Sequence, residues 1–461
     1  MKKEGSNKKR LFGTNGVRGV VNKEITPQLV LKLGHSIGTF LGGKKFLLAY
    51  DGRLSNIMLS DAMASGLIGV GCEVYDAGMM PTPALQYLTR KWKMDSGVMI
   101  TASHNPPEYN GVKVIDGDGI EIPREKEIEI EKIFFKDAYL LSEWDKLGNR
   151  IPKPGGLDEY KASIKIQVDE DLIRHAKLKV VIDPANGVGG LVTPYLLHEL
   201  GCEVCTINSN IDGKFPGRPP EPTLENISQL CEVVKACNAD LGIAHDGDAD
   251  RTIFVDEKGI AHWGDKSFAI IEDYYLSKNL GKSVVTPVSS SKAIEEIAVK
   301  HGSKIIWTKV GSINVSRKMQ DTKAPLGGEE NGGVFYGPHQ PVRDGAMVAA
   351  LMIEIIAHEK VGFSKLVKKL PLYFSAKDKI PCPENLKEKA LEHLLNKSKN
   401  QKNETLDGLK IWLSDKSWVL IRPSGTEPIY RIFAEASKEK DAHNLVREYK
   451  TIISGIIEKL R

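Results

Sequence analysis

Asp246, Asp248 and Asp250 occupy alternate positions in HDGDADR, directly after the apolar run LGIA. Three carboxylates this close repel one another unless protons or a cation relieve them, and hard oxygen donors of this kind suit Mg²⁺ or Ca²⁺. An EF-hand loop is the rival motif, since Glu257 falls at its twelfth position. Its sixth position is Arg251 rather than glycine, and TIFVDEKG reads as strand and turn rather than helix, so the EF-hand is rejected.

A second stretch, VMITASHNPPEYNGVKV (98–114), runs from an apolar strand into Ser103 and His104, with Lys113 close behind. Adjacent residues of a strand point to opposite faces, so a hydrolase-style Ser–His pair is expected to diverge. No G-x-S-x-G elbow is present either. The alternative is that Ser103 carries phosphate. A phosphoserine adds close to two negative charges, about −1.5 to −2, which a cation at the aspartates could neutralise. Phosphoryl transfer is largely positioning plus electrostatics, so a serine, Mg²⁺ and a cationic clamp suffice.

Two further loops fit a phosphorylated sugar. RPSGTEP (422–428) offers Arg422, Ser424, Thr426 and the amides around Gly425, the donor set that holds a dianionic phosphate. GEENGG (328–333) offers Glu329 and Asn331 to sugar hydroxyls, with glycines that let backbone approach a ligand. Taken singly, each loop also reads as a plain turn. Cys202 and Cys205 have C-x-x-C spacing, but no second pair completes a metal site, and GCEVCTI reads as a strand using cysteine as a small hydrophobe.

The elements that must position these loops repeat along the chain. KFLLAYDGR (45–53), LKVVIDPANG (178–187) and KSVVTPVSSS (282–291) are short β-rich runs entering polar loops and then helical patterns. Each is followed by a helix end, a glycine and a second strand, in GLIGVGCEVYDAG, YLLHELGCEVCTINS and IAVKHGSKIIWTKVGS. This is the grammar of a parallel α/β sheet, where ligands collect beyond the carboxyl ends of strands. The serine, aspartate and sugar loops each end one such unit, so three related domains would each present one loop to a common cleft. Residues 371–408 are polar, with NKSKNQKNETLDG read as a flexible loop. KIWLSDKSWVLIRPSGTEPIYRIFAEA reads as two strands around RPSGTEP, and a helix closes the chain. The expected class is α/β: three related domains with mixed, mostly parallel sheets, at 1–150, 151–253 and 254–370, and a smaller α+β domain at 371–461.

Composition narrows the partners. The 461 residues are 41% hydrophobic and 27% charged, and 64 Lys plus Arg against 60 Asp plus Glu leave a net charge of +4. That balance suggests neither nucleic acid nor a membrane surface as partner. MKKEGSNKKR reads as a solvated tail without a signal-peptide core. The longest apolar stretch, within 345–358, is broken by Glu354 and falls short of the ~20 residues of a membrane span. A soluble, cytoplasmic protein is expected.

The ordered set FGTNGVRG (12–19), TASHNP (101–106), DGDADR (246–251), GEENGG (328–333) and RPSGTEP (422–428) closely resembles the α-D-phosphohexomutases, across nearly the whole chain. The resemblance implies four domains around a deep cleft. It implies a phosphoserine at Ser103, and one Mg²⁺ on Asp246, Asp248 and Asp250 with a Ser103 phosphate oxygen as further ligand. Glu329 and Asn331 would hold sugar hydroxyls. Arg422, Ser424, Gly425 and Thr426 would grip the non-reacting phosphate, with Arg431 beside them. Lys113 matches a lysine that acts near the transferred proton, and Arg18 and Arg251 would be cationic cleft residues. The implied reaction moves phosphate between C6 and C1 of a hexose through a 1,6-bisphosphate, which turns around between two transfers.

Two positions depart from the family pattern. Gly333 stands where some members have histidine, leaving a base role to Lys113 or His104. KVGSIN (309–314) differs from many relatives, although Lys309 and Gly311 would still line the cleft. FGTNGVRG resembles phosphoglucosamine mutases and GEENGG the archaeal-type members, so glucosamine phosphate is the expected substrate. A broad phosphomannomutase/phosphoglucomutase is the alternative, and the chain is expected to be a monomer or homodimer. A serine-based phosphatase, which would release free phosphate, and a silent sugar-phosphate sensor are the rival classes.

Overall fold

The computed structural model describes residues 10–13, 16–42, 44–425 and 427–460. Most of the N-terminal tail, Thr14 and Asn15 of FGTNGVRG, and Thr426 of the phosphate loop lie outside the described residues.

Three α/β sheets follow one another along the chain, and their cores share one arrangement. In the first sheet, strand Ser96–Ile100 lies beside Lys45–Tyr50, which lies beside Glu73–Met79, all parallel. Leu241–His245, Lys179–Asp183 and Glu203–Thr206 repeat that order in the second sheet. Leu326–Gly328, Val284–Pro287 and Ile305–Thr308 repeat it in the third. Strands Ser96–Ile100 and Leu241–His245 are buried at every position, as expected where helices cover both faces of a sheet.

Each unit then turns back in an antiparallel strand: Tyr109–Asp116, Thr252–Asp256 and Val334–Tyr336. The three chemistry-bearing loops are these turnbacks, leaving the carboxyl end of equivalent strands. The sequence repeat therefore fixes their placement, because the same fold brings each loop to the same end of its sheet. The long apolar segment is helix Gly345–Glu359, buried on nearly all sides within the core. No helix among the described residues is long and apolar enough to cross a membrane.

The C-terminal sheet is antiparallel throughout, in the order Phe374–Pro381, Ile429–Ala436, Ser417–Pro423, Leu409–Ser414, Asn403–Glu404. Residues 410–436 hold three strands, not the expected two. Asp415 and Lys416 form a hairpin turn that splits the first run. Helix Glu439–Leu460 covers the sheet with Ala442, Val446, Tyr449, Ile453 and Ile457, a three-to-four residue spacing that puts all five on one face.

Candidate active site

Strand Ser96–Ile100 stops three residues before Ser103, which adopts a left-handed conformation at φ 51°. Such a φ is costly for a residue with a Cβ and persists only where the surroundings impose it. Here Arg53 imposes it. Its buried guanidinium donates to the carbonyls of Ser103 (2.8 Å), Asn105 (2.6 Å), Pro106 (2.7 Å) and Tyr109 (2.8 Å). Asp51 pairs with that guanidinium and accepts from Thr101 Oγ1 at 2.6 Å, and Thr101 Oγ1 accepts from the Ser103 amide at 2.8 Å.

This turn corrects the expectation that Ser103 and His104 diverge. Off the strand, alternation no longer applies, and Ser103 Oγ lies 3.2 Å from His104 Nδ1. Burial, followed by Arg251, Arg18 and Arg343, holds the His104 imidazole well below its usual pKa, so it is neutral near pH 7. Arg18 lies alongside, donating to Ala102 O (3.2 Å) and Asn105 Oδ1 (2.8 Å).

The serine and aspartate loops meet directly. Ser103 Oγ donates to Asp246 Oδ2 at 2.8 Å, and a Cβ on Gly247 would lie 2.5 Å from the Ser103 carbonyl oxygen. Only glycine permits this backbone approach. Asp248 Oδ2 accepts from Lys113 Nζ (2.7 Å) and Thr82 Oγ1 (2.6 Å), and Asp250 Oδ2 from Lys113 Nζ (3.3 Å). Lys113 is buried. Burial pulls its ammonium down, but Asp248 and Asp250 outweigh that and the net shift is upward, so Lys113 is a fixed cation here.

Whether these residues suit a divalent ion is decided by the oxygens left over. Asp248 Oδ1 and Asp250 Oδ1 are buried without a hydrogen-bond partner, and the three aspartates offer ligand atoms within 4.8 Å of one another. Buried carboxylate oxygens are rarely left unsatisfied, since each costs the desolvation of a charged acceptor. The charge balance agrees: burial, then Asp250 and Asp248, push the Asp246 carboxyl well above its usual range. An oxygen-only set of this kind fits Mg²⁺.

The sugar loop joins through a residue that the sequence did not single out. Arg343, buried at the end of strand Gln340–Arg343, donates to Asp250 Oδ2 at 2.6 Å and to Glu329 Oε2 at 3.3 Å. Glu329 is buried as well, and Asn331 Oδ1 accepts from the Gly333 amide at 3.1 Å. Arg251 is buried beside Asp250, its Nε 3.9 Å from Asp250 Oδ1.

The domain that carries the phosphate loop docks on the third unit, where Glu435 Oε1 accepts from Lys292 N at 2.8 Å and Lys410 Nζ donates to Val288 O at 2.9 Å. Arg422 and Arg431 face each other directly across antiparallel strands. Like charges so placed repel, and each already has a carboxylate beside it, Glu427 accepting from Arg431 Nη2 at 2.5 Å and Asp407 pairing with Arg422. Asp407 pairs with Arg422 Nε at 2.9 Å and accepts from Val310 N at 3.0 Å, tying the clamp to the Lys309–Gly311 segment, where the Lys309 side chain is exposed and Gly311 precedes a helix. Lys387 Nζ donates to the carbonyls of Ser424 and Glu427, both at 2.7 Å. The Ser424 amide donates to the Ile429 carbonyl at 2.9 Å, which closes the base of the loop. Gly425 is exposed, and Ser424 Oγ accepts from Glu427 N at 3.2 Å.

Four stretches of the chain match the phosphoglucomutase/phosphomannomutase domains: alpha/beta/alpha domain I over 9–140, domain II over 158–259, domain III over 263–373 and the C-terminal domain over 379–451. The chain belongs to the phosphoglucomutase/phosphomannomutase family. Members are mutases, intramolecular phosphotransferases. It is 48% identical over 455 residues to a phosphoglucosamine/phosphogalactosamine mutase of Sulfurisphaera tokodaii, covering 97% of this chain and 99% of that one. It is 43% identical over 458 residues to a phosphoglucomutase/phosphomannomutase of Thermococcus kodakarensis, at 98% and 99% coverage. The crystal structure of a family protein from Burkholderia thailandensis superposes with a TM-score of 0.85 at 27% identity, covering 97% of each chain. Within the family frame, Arg53, Arg343, Asp407 and Lys387 are the site residues that sequence reasoning missed. Only Arg53 carried a signal, in the polar end DGR of the first strand.

Proposed function

We propose that this chain interconverts glucosamine 6-phosphate and glucosamine 1-phosphate through a phosphoserine at Ser103 and a glucosamine 1,6-bisphosphate. One observation carries the reading: Ser103 Oγ sits on Asp246 while Asp248 and Asp250 each keep a buried oxygen that accepts no hydrogen bond. Mg²⁺ held by Asp246, Asp248 and Asp250, with a phosphoserine oxygen as further ligand, would supply positive charge to the phosphoryl group in flight.

In the forward half-reaction the sugar hydroxyl oxygen forms the new P–O bond as the bond from phosphorus to Ser103 Oγ breaks. His104, neutral and 3.2 Å from Oγ, is placed to pass the hydroxyl proton to Ser103 Oγ as that oxygen leaves, and to carry the serine proton to the departing sugar oxygen in the second transfer. Lys113 fixes Asp248 and Asp250, and Arg18 and Arg251 offset the charge of the transferred group. Glu329 and Asn331 receive sugar hydroxyls. Arg422, Arg431, Ser424, Gly425 and Thr426, with Lys309 and Gly311 beside them, hold the phosphate at the other end. The clamp must accept either end of the bisphosphate, which is why it sits on a separate domain. The divisions near 150, 253 and 370 belong to the same reading, as do a cytoplasmic monomer or homodimer and the absence of nucleic-acid partners.

The amino sugar is supported by the 48% identical relative named for glucosamine and galactosamine phosphates. The 43% identical relative supports the alternative, a phosphomannomutase/phosphoglucomutase of broad specificity. Assaying glucosamine, mannose and glucose 6-phosphates side by side separates them. Glucosamine 6-phosphate is expected to lead in kcat/KM by at least about tenfold, one polar contact's worth of discrimination. Equal values would select the alternative, and inorganic phosphate as the main product would replace the mutase with a phosphatase.

Arg422→Lys tests the clamp. A lysine keeps the charge but loses the planar fork, so KM for the sugar phosphate should rise about tenfold with kcat within about threefold. An unaltered KM would remove Arg422 from the clamp.

A further inference from the structure

The sugar loop ends in Gly333, and the space beside it is filled. A Cβ built there would lie 2.3 Å from Arg343 Cδ and 2.9 Å from Arg343 Cγ, with Asn331 Oδ1 at 3.3 Å. Backbone strain does not demand this glycine, since Gly333 is not among the positive-φ positions. The demand comes from Arg343, whose stem runs through the volume that any side chain at 333 would need.

The guanidinium at the end of that stem has two separate partners. One fork nitrogen reaches Asp250 Oδ2 (2.6 Å) and the other Glu329 Oε2 (3.3 Å). Arginine stays protonated and presents its donors in a rigid plane, so one side chain sets the spacing of two carboxylates from different loops. Its mount is firm. Strand Gln340–Arg343 passes directly into helix Gly345–Glu359, capped by Asp344, which accepts from Tyr160 Oη at 2.5 Å and Met347 N at 3.0 Å. Asp250 Oδ1, on the far side of that carboxylate, is left without a hydrogen bond. Arg343 therefore holds the oxygen that a cation would not use.

We propose that Arg343 is a positioning residue that locks the sugar loop's Glu329 to the metal loop's Asp250, and that Gly333 is required to admit it. This rests on the reading above that Glu329 faces the sugar and Asp250 the cation. The pair gives the sugar a fixed height above the transferring phosphoryl group, so its loss falls on substrate binding more than on the metal.

The test is a double-mutant cycle of Gly333→Ala and Arg343→Ala, with Arg343→Lys as a charge-retaining control. Each single variant is expected to raise KM for the sugar phosphate about tenfold, the scale of one charged hydrogen bond lost. kcat should stay within about threefold; the thermal midpoint should hold within a few degrees in Gly333→Ala but fall further in Arg343→Ala, which leaves the buried Glu329 without its cation. Gly333→Ala added to Arg343→Ala should cost nothing further, because the obstructed side chain is already gone. Arg343→Lys should behave like Arg343→Ala in KM, because a single ammonium cannot span both carboxylates. Calorimetry with Mg²⁺ alone should give a Kd within about threefold of wild type in Gly333→Ala, since Lys113 still holds Asp250 Oδ2. Additive single effects, or a KM unmoved by Arg343→Ala, overturn the lock while leaving the mutase reading intact. Loss of Mg²⁺ binding in Gly333→Ala would make the contact a support of the metal loop and overturn it equally. A wild-type chain that isomerises no hexose phosphate overturns the mutase reading and this inference together.

Discussion

Ser103→Ala is expected to lower kcat at least about a thousandfold, the scale on which removal of a covalent nucleophile acts. The fold should survive. Arg53 grips the loop through carbonyls that alanine retains, and the lost hydrogen bond to Asp246 spans a single contact. Serine already bears the cost of the φ of 51° through its Cβ and alanine adds none, so the thermal midpoint should fall by a few degrees at most, for the lost hydroxyl contacts. Incubation with a hexose 1,6-bisphosphate followed by peptide mass analysis should place an acid-stable phosphate on the wild-type 101–106 peptide and none on the variant. Turnover within tenfold of wild type would end the case for a phosphoserine, whatever the loop's geometry.

How much of this was legible beforehand depends on the range of the interactions. The strand–loop–helix–strand units were readable because apolar runs and their turns are local signals. Once three units shared an order, the equivalence of their loops followed. The serine, aspartate and phosphate loops could be read from their own residue types. Alternation failed at Ser103 and His104 because strand Ser96–Ile100 ends earlier than the apolar pattern suggested, and Thr101 caps the turn with its own hydroxyl. Arg53 meets Ser103 from 50 residues away, and Arg343 meets Asp250 across 93. In QPVRDG nothing marks the arginine as more than a strand-end charge, since one partner, Asp250, comes from another domain's loop and the other, Glu329, from a loop 14 residues back. Strand Phe374–Pro381 was missed for a different reason. It is an edge strand carrying Lys377, Asp378 and Lys379, charges that keep an edge from pairing further but read as loop in sequence.

Asp248→Asn reaches the same chemistry from the metal side, and asparagine cannot satisfy both faces of this carboxylate. Oδ2 accepts from Lys113 Nζ and Thr82 Oγ1, while Oδ1 has no partner. If the amide oxygen keeps the two donors, the NH₂ group points its hydrogens where a cation would bind. If the amide turns round, NH₂ faces an ammonium and a hydroxyl. Mg²⁺ affinity measured by calorimetry on the sugar-free protein should therefore weaken at least about a hundredfold, and kcat should fall about a thousandfold. Unlike Ser103→Ala, this change should also cost stability. Lys113 is 1% exposed and keeps only the longer contact to Asp250 at 3.3 Å, and a buried charge stripped of its main partner costs about 3–5 kcal/mol. Adding Lys113→Met removes that orphaned charge, so the double variant should recover most of the lost thermal midpoint while Mg²⁺ binding and turnover stay low. An Asp248→Asn protein that binds Mg²⁺ as wild type does would show that the ion is held elsewhere. A double variant that regains turnover would show that Asp248 acts only by neutralising Lys113.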